Sequence, residues 1–220
     1  MSTTLKFKPA LAASLVVLGP LICGSAQADN ESQVIDFQTH AAFFSNETHQ
    51  KPPLDPQVFV AAPAAAAAIG PQGIKHVAGI RNALIGETQE LPLLNASGKP
   101  LDMSLGAWLA SKGEVILTPL PGGREKVTVI LSDLKPHGHY SLFENHFDQQ
   151  PVGFTPLDGT GSGNNFVADG EGKAVVSMVS PTLVTHDNAV LVVYHSDRKT
   201  HAASRGDLGV NAHHQLIARP

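Results

Sequence analysis

The chain is poor in cysteine: Cys23 is the only one among 220 residues. It lies within the first 28 residues, which have the features of a signal peptide that is removed on export. Loss of that segment would leave a protein without thiols. This excludes disulfides, thiolate zinc sites, iron–sulfur clusters, blue-copper sites and covalently attached c-type haem.

Long apolar runs are also missing. The run at 11–22 has about a dozen residues and is interrupted by Pro20, whereas spanning a bilayer takes about 20 residues. This run follows Lys6 and Lys8 and precedes Ala26-Gln27-Ala28, the small-x-small pattern of a cleavage site. The sequence therefore predicts a signal peptide over 1–28, no membrane span, and a periplasmic or secreted protein. A lipoprotein signal at Cys23 is the alternative, but Ile22 is larger than the residue expected before a lipidated cysteine.

Positive charge is in the minority, with 15 basic and 19 acidic residues. Without Lys6 and Lys8 the basic count falls to 13, and the net charge of the remaining chain is −6. An acidic protein of this kind is not expected to bind nucleic acid or an anionic membrane surface. The remaining chain of about 190 residues is long enough to bury a substantial core without disulfides.

Two regions follow the predicted signal peptide. Residues 29–93 lack a consistent hydrophobic period and contain a proline-rich run at 51–56 and an alanine-rich run at 61–68. We expect an irregular N-terminal arm there, in which 34–44 and 74–84 form either single helical turns or edge strands. Residues 94–220 are expected to form the organised domain.

In this second region, Asp102 is the expected N-cap of a short helix with Leu105, Trp108 and Leu109 on one face and Gly113 at its end. A hairpin is predicted from 114–120 and 125–131, joined by Pro121-Gly122-Gly123. Further strands are predicted at 138–147, 165–168, 173–179, 189–195 and 215–218. This spacing predicts a mainly β fold, an antiparallel Greek-key-type sandwich with one short helix.

The segment Leu134-Lys135-Pro136 followed by Tyr140 resembles the tyrosine corner of immunoglobulin-like and fibronectin-type sandwiches. In those families the tyrosine hydroxyl bonds to the backbone a few residues upstream, at a crossing between sheets. The resemblance implies that Tyr140 is buried and hydrogen-bonded in this way.

Common catalytic motifs do not occur. There is no Gly-x-Ser-x-Gly elbow, and the glycine-rich segment 157–165 is not followed by the helix that a phosphate-binding loop requires. Histidine, in contrast, is enriched, with eight of the 11 lying between 137 and 214. Neutral imidazole is the commonest metal ligand, and with carboxylates it suits zinc or copper. The alternative is a set of partly exposed histidines that only make hydrogen bonds.

If a metal site exists, the best candidates follow the apolar strand at 189–193: His195 and His201, with Asp197 able to orient an imidazole ring. His146 and Glu144 are the most suitable contributors from another strand, since both are expected on the face of Tyr140. A further ligand is expected from one of three remaining histidines: His139, His213 or His214.

The stretch 201–211, with Gly206-Asp207-Leu208-Gly209 after His201, resembles the end of the zinc loop of copper/zinc superoxide dismutases. The resemblance implies zinc-ligand roles for His195, His201 and Asp207 and supports an antiparallel sandwich. The chain departs from the family at the copper site, because the His-x-His pair falls on Leu142 and Glu144, and the disulfide cysteines are absent.

These observations favour an exported binding protein rather than an enzyme. The expected partner is a divalent transition metal, zinc or copper, or an extracytoplasmic partner of unknown identity. The alternatives are a protein- or carbohydrate-binding module without metal and a dismutase-like metalloenzyme.

Overall fold

The computed structural model describes Met1 and residues 31–220. The predicted signal peptide, its cleavage site and Cys23 lie outside the described residues. Within them, no helix has the length and apolar character needed to cross a membrane.

The helices are α1 (His40–Glu47) and α2 (Leu105–Leu109). The strands are β1 (Gln33–Asp36), β2 (Gln38–Thr39), β3 (Leu54–Ala61), β4 (Ala68–Ile69), β5 (Lys75–His76), β6 (Ile80–Leu84), β7 (Pro92–Leu94), β8 (Pro100–Ser104), β9 (Lys112–Leu120), β10 (Arg124–Ser132), β11 (His139–His146), β12 (Gly153–Pro156), β13 (Asn165–Val167), β14 (Ala174–Ser180), β15 (Asn188–His195) and β16 (Ala212–Ala218).

Two antiparallel sheets enclose the main core. A four-stranded sheet has the order β1-β9-β10-β14, and a six-stranded sheet has the order β12-β11-β15-β16-β2, with β13 paired to β11. Alternate residues of β9 and β10, such as Val115 and Val129, meet Leu142 and Val192 from the six-stranded sheet. The mainly β, antiparallel sandwich predicted from sequence is confirmed.

The six-stranded sheet is buried on both faces. Its outward side chains, among them Phe143, Leu191 and Ile217, form a second apolar cluster with Phe43 of α1 and Phe154 of β12. The apolar strand predicted to be central is β15, which lies between β11 and β16. A sheet covered on both faces explains why β15 has no polar face.

The N-terminal region differs from the irregular arm expected from sequence. Residues 31–93 contain α1 and seven strands, and they are integrated with the rest of the chain, because β1 pairs with β9 and β2 pairs with β16. A third sheet, β6-β3-β7-β8, includes strands from both sides of residue 93. The run at 51–56 enters β3, where Asp55 is buried and its Oδ1 accepts hydrogen bonds from the backbone amides of Gln57 and Val58.

Helix α2 lies where it was predicted, but its ends differ. Ser104 is the N-cap, and its hydroxyl accepts a hydrogen bond from the Ala107 amide at 3.3 Å. Asp102 lies in β8 with a φ of 53°. Gly113 lies in β9, where a Cβ atom would be 2.1 Å from the Ile130 carbonyl oxygen, so this glycine permits close strand pairing.

The predicted hairpin and tyrosine corner are both confirmed. Strands β9 and β10 pair from Arg124 with Leu120 to Ser132 with Lys112. The Tyr140 hydroxyl accepts a hydrogen bond from the Lys135 amide at 3.0 Å, and Tyr140 is 1% exposed. The corner fixes the start of β11 and therefore the direction in which its later side chains point.

Candidate functional site

The outward face of the six-stranded sheet carries the polar groups of greatest interest. On β11, Ser141 and Asn145 lie on this face with Phe143, because side chains alternate along a strand. On β16 the register shifts where Val192 pairs with Leu216 but Val193 pairs with His214. This bulge inserts Gln215 as an extra residue and changes which side chains face outward.

The two adjacent histidines of β16 face opposite sides of the sheet because side chains alternate, and the bulge decides which of them faces outward. His213 lies in the main core beside Trp108 and Tyr194, with ring centroids 6.4 and 6.1 Å away. His214 lies on the outward face, 5.5 Å from the Phe154 ring and 4.8 Å from the His40 ring. The expectation that at most one of the pair joins a given site agrees with this arrangement.

A cavity of about 430 Å³ lies beside the contact between α1 and this outward face. Helix α1 lines it with a stripe at i, i+3, i+4 and i+7, namely His40, Phe43, Phe44 and Glu47. The opposite wall comes from β11, β12, β16 and the segments that follow β11, with Asn145, Phe147, Val152, Phe154 and His214. The cavity is therefore mostly apolar, with polar groups at a few defined positions.

Arg205 enters the cavity wall from the loop before β16. Its guanidinium lies over the Phe154 ring at 3.2 Å from the centroid, and its Nη1 donates to His214 Nε2 at 3.1 Å. Among the described residues no carboxylate oxygen lies within 4 Å of its nitrogens. Burial lowers the pKa of Arg205 to about 10, a direction expected for a cation without a nearby anion.

Arg205 also determines the tautomers of the two histidines behind it. A guanidinium only donates, so His214 Nε2 must be the acceptor and His214 must carry its proton on Nδ1. That Nδ1–H faces His40 Nε2 at 3.4 Å, which places the His40 proton on Nδ1. Burial lowers the pKa of His40 to about 3 and that of His214 well below its usual value, so both rings are neutral at neutral pH.

This donor chain ends without an acceptor. His40 Nδ1 is buried and has no hydrogen-bond partner in the described part of the chain. The Asn145 side-chain oxygen, on the other wall of the cavity, is likewise buried and unpaired. Buried polar atoms are nearly always hydrogen-bonded, so a donor and an acceptor left unpaired around one cavity are unusual.

The predicted metal ligands gather partly at a second place on the outward face. His195 and His201 have ring centroids 5.1 Å apart, and Asp197 Oδ2 lies 3.2 Å from His201 Nε2. His139 is directly opposite His195 in the strand pairing. Burial first, and then His201, lower the pKa of His195 to about 4.

His195 makes one short hydrogen bond, between its Nε2 and the Ser141 hydroxyl at 2.6 Å, while its buried Nδ1 has no partner in the described residues. Nevertheless, no three His, Cys, Asp or Glu side chains of 31–220 are grouped closely enough to hold a metal ion. The cluster supplies possible ligands but not a formed metal centre.

The other expected ligands lie elsewhere. His146 is at the far end of β11, seven residues from His139 and therefore about 23 Å away along the strand. Glu144 faces inward as expected, where Thr182 Oγ1 and Asn188 Nδ2 donate to its carboxylate. Glu144 and His146 are thus separated from the His195 cluster. Asp207, implied by the dismutase resemblance, is an exposed turn residue.

Sequence reasoning missed His40, Asn145 and Arg205. The stripe of His40, Phe43, Phe44 and Glu47 was a usable signal, because its spacing is helical and it mixes two aromatic rings with two titratable groups. Nothing local distinguished Arg205 from the other arginines. Its position depends on a loop that folds back over β12.

No protein-family model matches the chain, and no curated protein matches it. The function is therefore inferred from the geometry of the site. The cavity and the His195 cluster are the two places where the described residues bring chemistry together. The cavity is the more complete of the two, because its walls, its charge and its unpaired polar atoms are all formed.

Proposed function

We propose that this protein is an exported binding protein that holds a small, mostly apolar molecule between α1 and the outward face of the six-stranded sheet. The volume of about 430 Å³ lies within the range of about 300–1,000 Å³ common for small-molecule sites. Such sites have apolar and aromatic walls with a few polar groups that orient the ligand. Here the phenylalanines form the aromatic walls, and His40, Asn145 and Arg205 are the polar groups.

One observation carries the proposal: the buried Nδ1 of His40 and the buried side-chain oxygen of Asn145 lack partners in the described protein. Leaving such groups unpaired costs about 1–3 kcal/mol each. A ligand with an acceptor and a donor would recover that cost once the His40 ring and the Asn145 amide turn to present these two atoms to the cavity. The export expected from the N-terminal sequence places this binding outside the cytoplasm.

The direct test uses N-phenylnaphthylamine, a neutral apolar dye whose fluorescence rises in apolar surroundings. We expect saturable binding to the purified protein and loss of binding in Val152→Trp, because Val152 lines the cavity and a larger side chain would fill it. Val179→Trp is the matched control, since Val179 is similarly exposed, 44% against 37%, but lies on β14 in the other sheet. Equal binding by both variants would show that the dye binds elsewhere.

A second candidate function is metal binding at His195 and His201. It is favoured by the 5.1 Å separation of the two rings, by Asp197 beside His201 and by the unpaired Nδ1 of His195. A metal would require His139 or another side chain to turn toward these rings, since a structural zinc site needs four ligands.

The metal hypothesis is tested by titrating untagged protein with zinc and with copper(II). Binding tighter than millimolar, weakened in His195→Ala and in His201→Ala but not in His186→Ala, would support it. His186 is the matched control because it is an exposed histidine that bonds the Pro220 carbonyl. If both cluster variants bind like the wild type, the cluster is not a metal site.

A further inference from the structure

We infer that the preferred ligand of the cavity is an organic carboxylate with an aromatic or branched apolar body, and that Arg205 binds its anionic head. This inference rests on the proposed function and specifies the ligand class of the same site. It is drawn from the unmatched charge of Arg205, from its unused hydrogen-bond donors and from the aromatic walls.

The charge of Arg205 lacks a protein counter-ion. Glu47 is the one carboxylate in the cavity wall, it is exposed, and it lies more than 4 Å from the guanidinium nitrogens. His40 and His214, the other titratable groups in the wall, are buried and neutral. A partly buried cation without an anion is unfavourable, and an anionic ligand would remove that penalty on binding.

The hydrogen-bonding capacity of Arg205 is also largely unused. A guanidinium has five N–H donors, and a single hydrogen bond, to His214, is formed within the described residues. The contact with Phe154 occupies one face of the planar group and leaves its N–H edges available. Carboxylates match those edges because two oxygens can accept two parallel N–H bonds.

The rest of the cavity selects the body of the ligand. Phe43 and Phe147 have ring centroids 5.6 Å apart, and Val152 and Leu208 add aliphatic surface. An aromatic or branched group can replace water against these walls, whereas a sugar would leave many hydroxyls unpaired. A small arylalkyl carboxylate therefore combines an anionic group for Arg205 with an aromatic body for the apolar walls.

The test compares three ligands with the same body: phenylpropanoate, phenylpropanamide and phenylpropanol. Their affinities are measured by displacement of N-phenylnaphthylamine and by calorimetry on the full protein. We expect the carboxylate to bind at least about tenfold more tightly than the amide or the alcohol, and Arg205→Gln to abolish this preference while the neutral ligands still bind.

Arg219→Gln is the matched control. Arg219 also lies over a phenylalanine, with its guanidinium 4.2 Å from the Phe147 centroid, but it is not part of the cavity wall. The preference for carboxylate should persist in this variant. If Arg205→Gln does not fold, ¹⁵N NMR of the wild type replaces it: phenylpropanoate, but not the amide, should shift the Arg205 Nε–H signal and leave that of Arg219 unchanged.

The outcomes separate the two proposals. If the three ligands bind equally well, or if the carboxylate preference survives Arg205→Gln, the inference about the head group is wrong and the binding function stands. If neither the dye nor any of the ligands binds, the proposed function itself is wrong.

Discussion

The buried Tyr140 side chain accepts a hydrogen bond from the half-buried Lys135 amide through its hydroxyl. Tyr140→Phe would leave that amide without a partner, so we expect a loss of about 1–3 kcal/mol in the free energy of unfolding, measured by urea denaturation. Tyr194→Phe should cost less, because the Tyr194 hydroxyl accepts from the flexible Lys135 ammonium at 3.2 Å, which also donates to the Leu101 carbonyl. An unchanged urea midpoint in Tyr140→Phe would show that the corner does not stabilise the fold.

Residues differ in how far sequence reveals their roles. The role of Tyr140 follows from its spacing after Pro136, because the corner is a local feature of the chain. The role of Arg205 does not, because its contacts with Phe154 and His214 join segments that only tertiary folding brings together. His40 is intermediate, since its helical spacing from Phe43 and Phe44 is local but its unpaired nitrogen is not.

Helix α1 forms one wall of the cavity, and Ser45 attaches it to β3. The Ser45 hydroxyl donates to the Leu54 carbonyl at 3.0 Å and accepts from the Leu54 amide at 3.1 Å. Ser45→Ala would leave both backbone groups unpaired, and we expect a loss of about 1–3 kcal/mol in stability together with weaker binding of N-phenylnaphthylamine. Asn46→Ala is the control, an exposed position in the same helix. Identical stability and dye affinity in the two variants would contradict a role for Ser45 in positioning the wall.

Strands in the second half of the chain could be predicted from two patterns, polar–apolar alternation in β10 and a continuous apolar run in β15. In β10, Val127, Thr128 and Val129 alternate between apolar and polar residues, and this alternation fixes the faces of the strand. Strand β3 gives no such signal, since Asp55, Pro56 and Gln57 are all buried and the side chain of Asp55 bonds its own backbone. The bulge at Gln215 is equally hidden, although it decides which of His213 and His214 faces the cavity.

Over the whole molecule, buried histidines make stability depend on pH. Burial lowers the pKa of His195 and His213 to about 4 and that of His40 to about 3, and His214 is lowered as well. Unfolding restores pKa values near 6.5, so the unfolded chain binds protons that the folded chain does not. Each such histidine therefore removes up to about 1.4 kcal/mol of stability per pH unit as the pH falls from 6.5 toward 4.

Asp55 acts in the opposite direction. Burial raises its pKa to about 6 in the folded protein, against 3.8 as the ordinary value, so acidification through this range favours the folded state. Burial also raises the pKa of Glu125, so two carboxyls oppose the four histidines, and a net loss remains. We expect the urea midpoint to fall markedly between pH 7 and pH 5, with a shallower dependence in His213→Gln and an unchanged one in the exposed variant His186→Gln. A wild-type midpoint that is constant over this range would contradict the burial of neutral histidines.

The central claim is that the space between α1 and the six-stranded sheet is a binding site. A crystal structure of the protein with N-phenylnaphthylamine tests it most directly, because it locates the dye. We predict electron density for the dye against the contacting rings of Phe43 and Phe147, on the side bounded by His40 and Asn145, with the sandwich unchanged. Density for the dye only on the molecular surface, with side chains filling the space beneath α1, would contradict the claim.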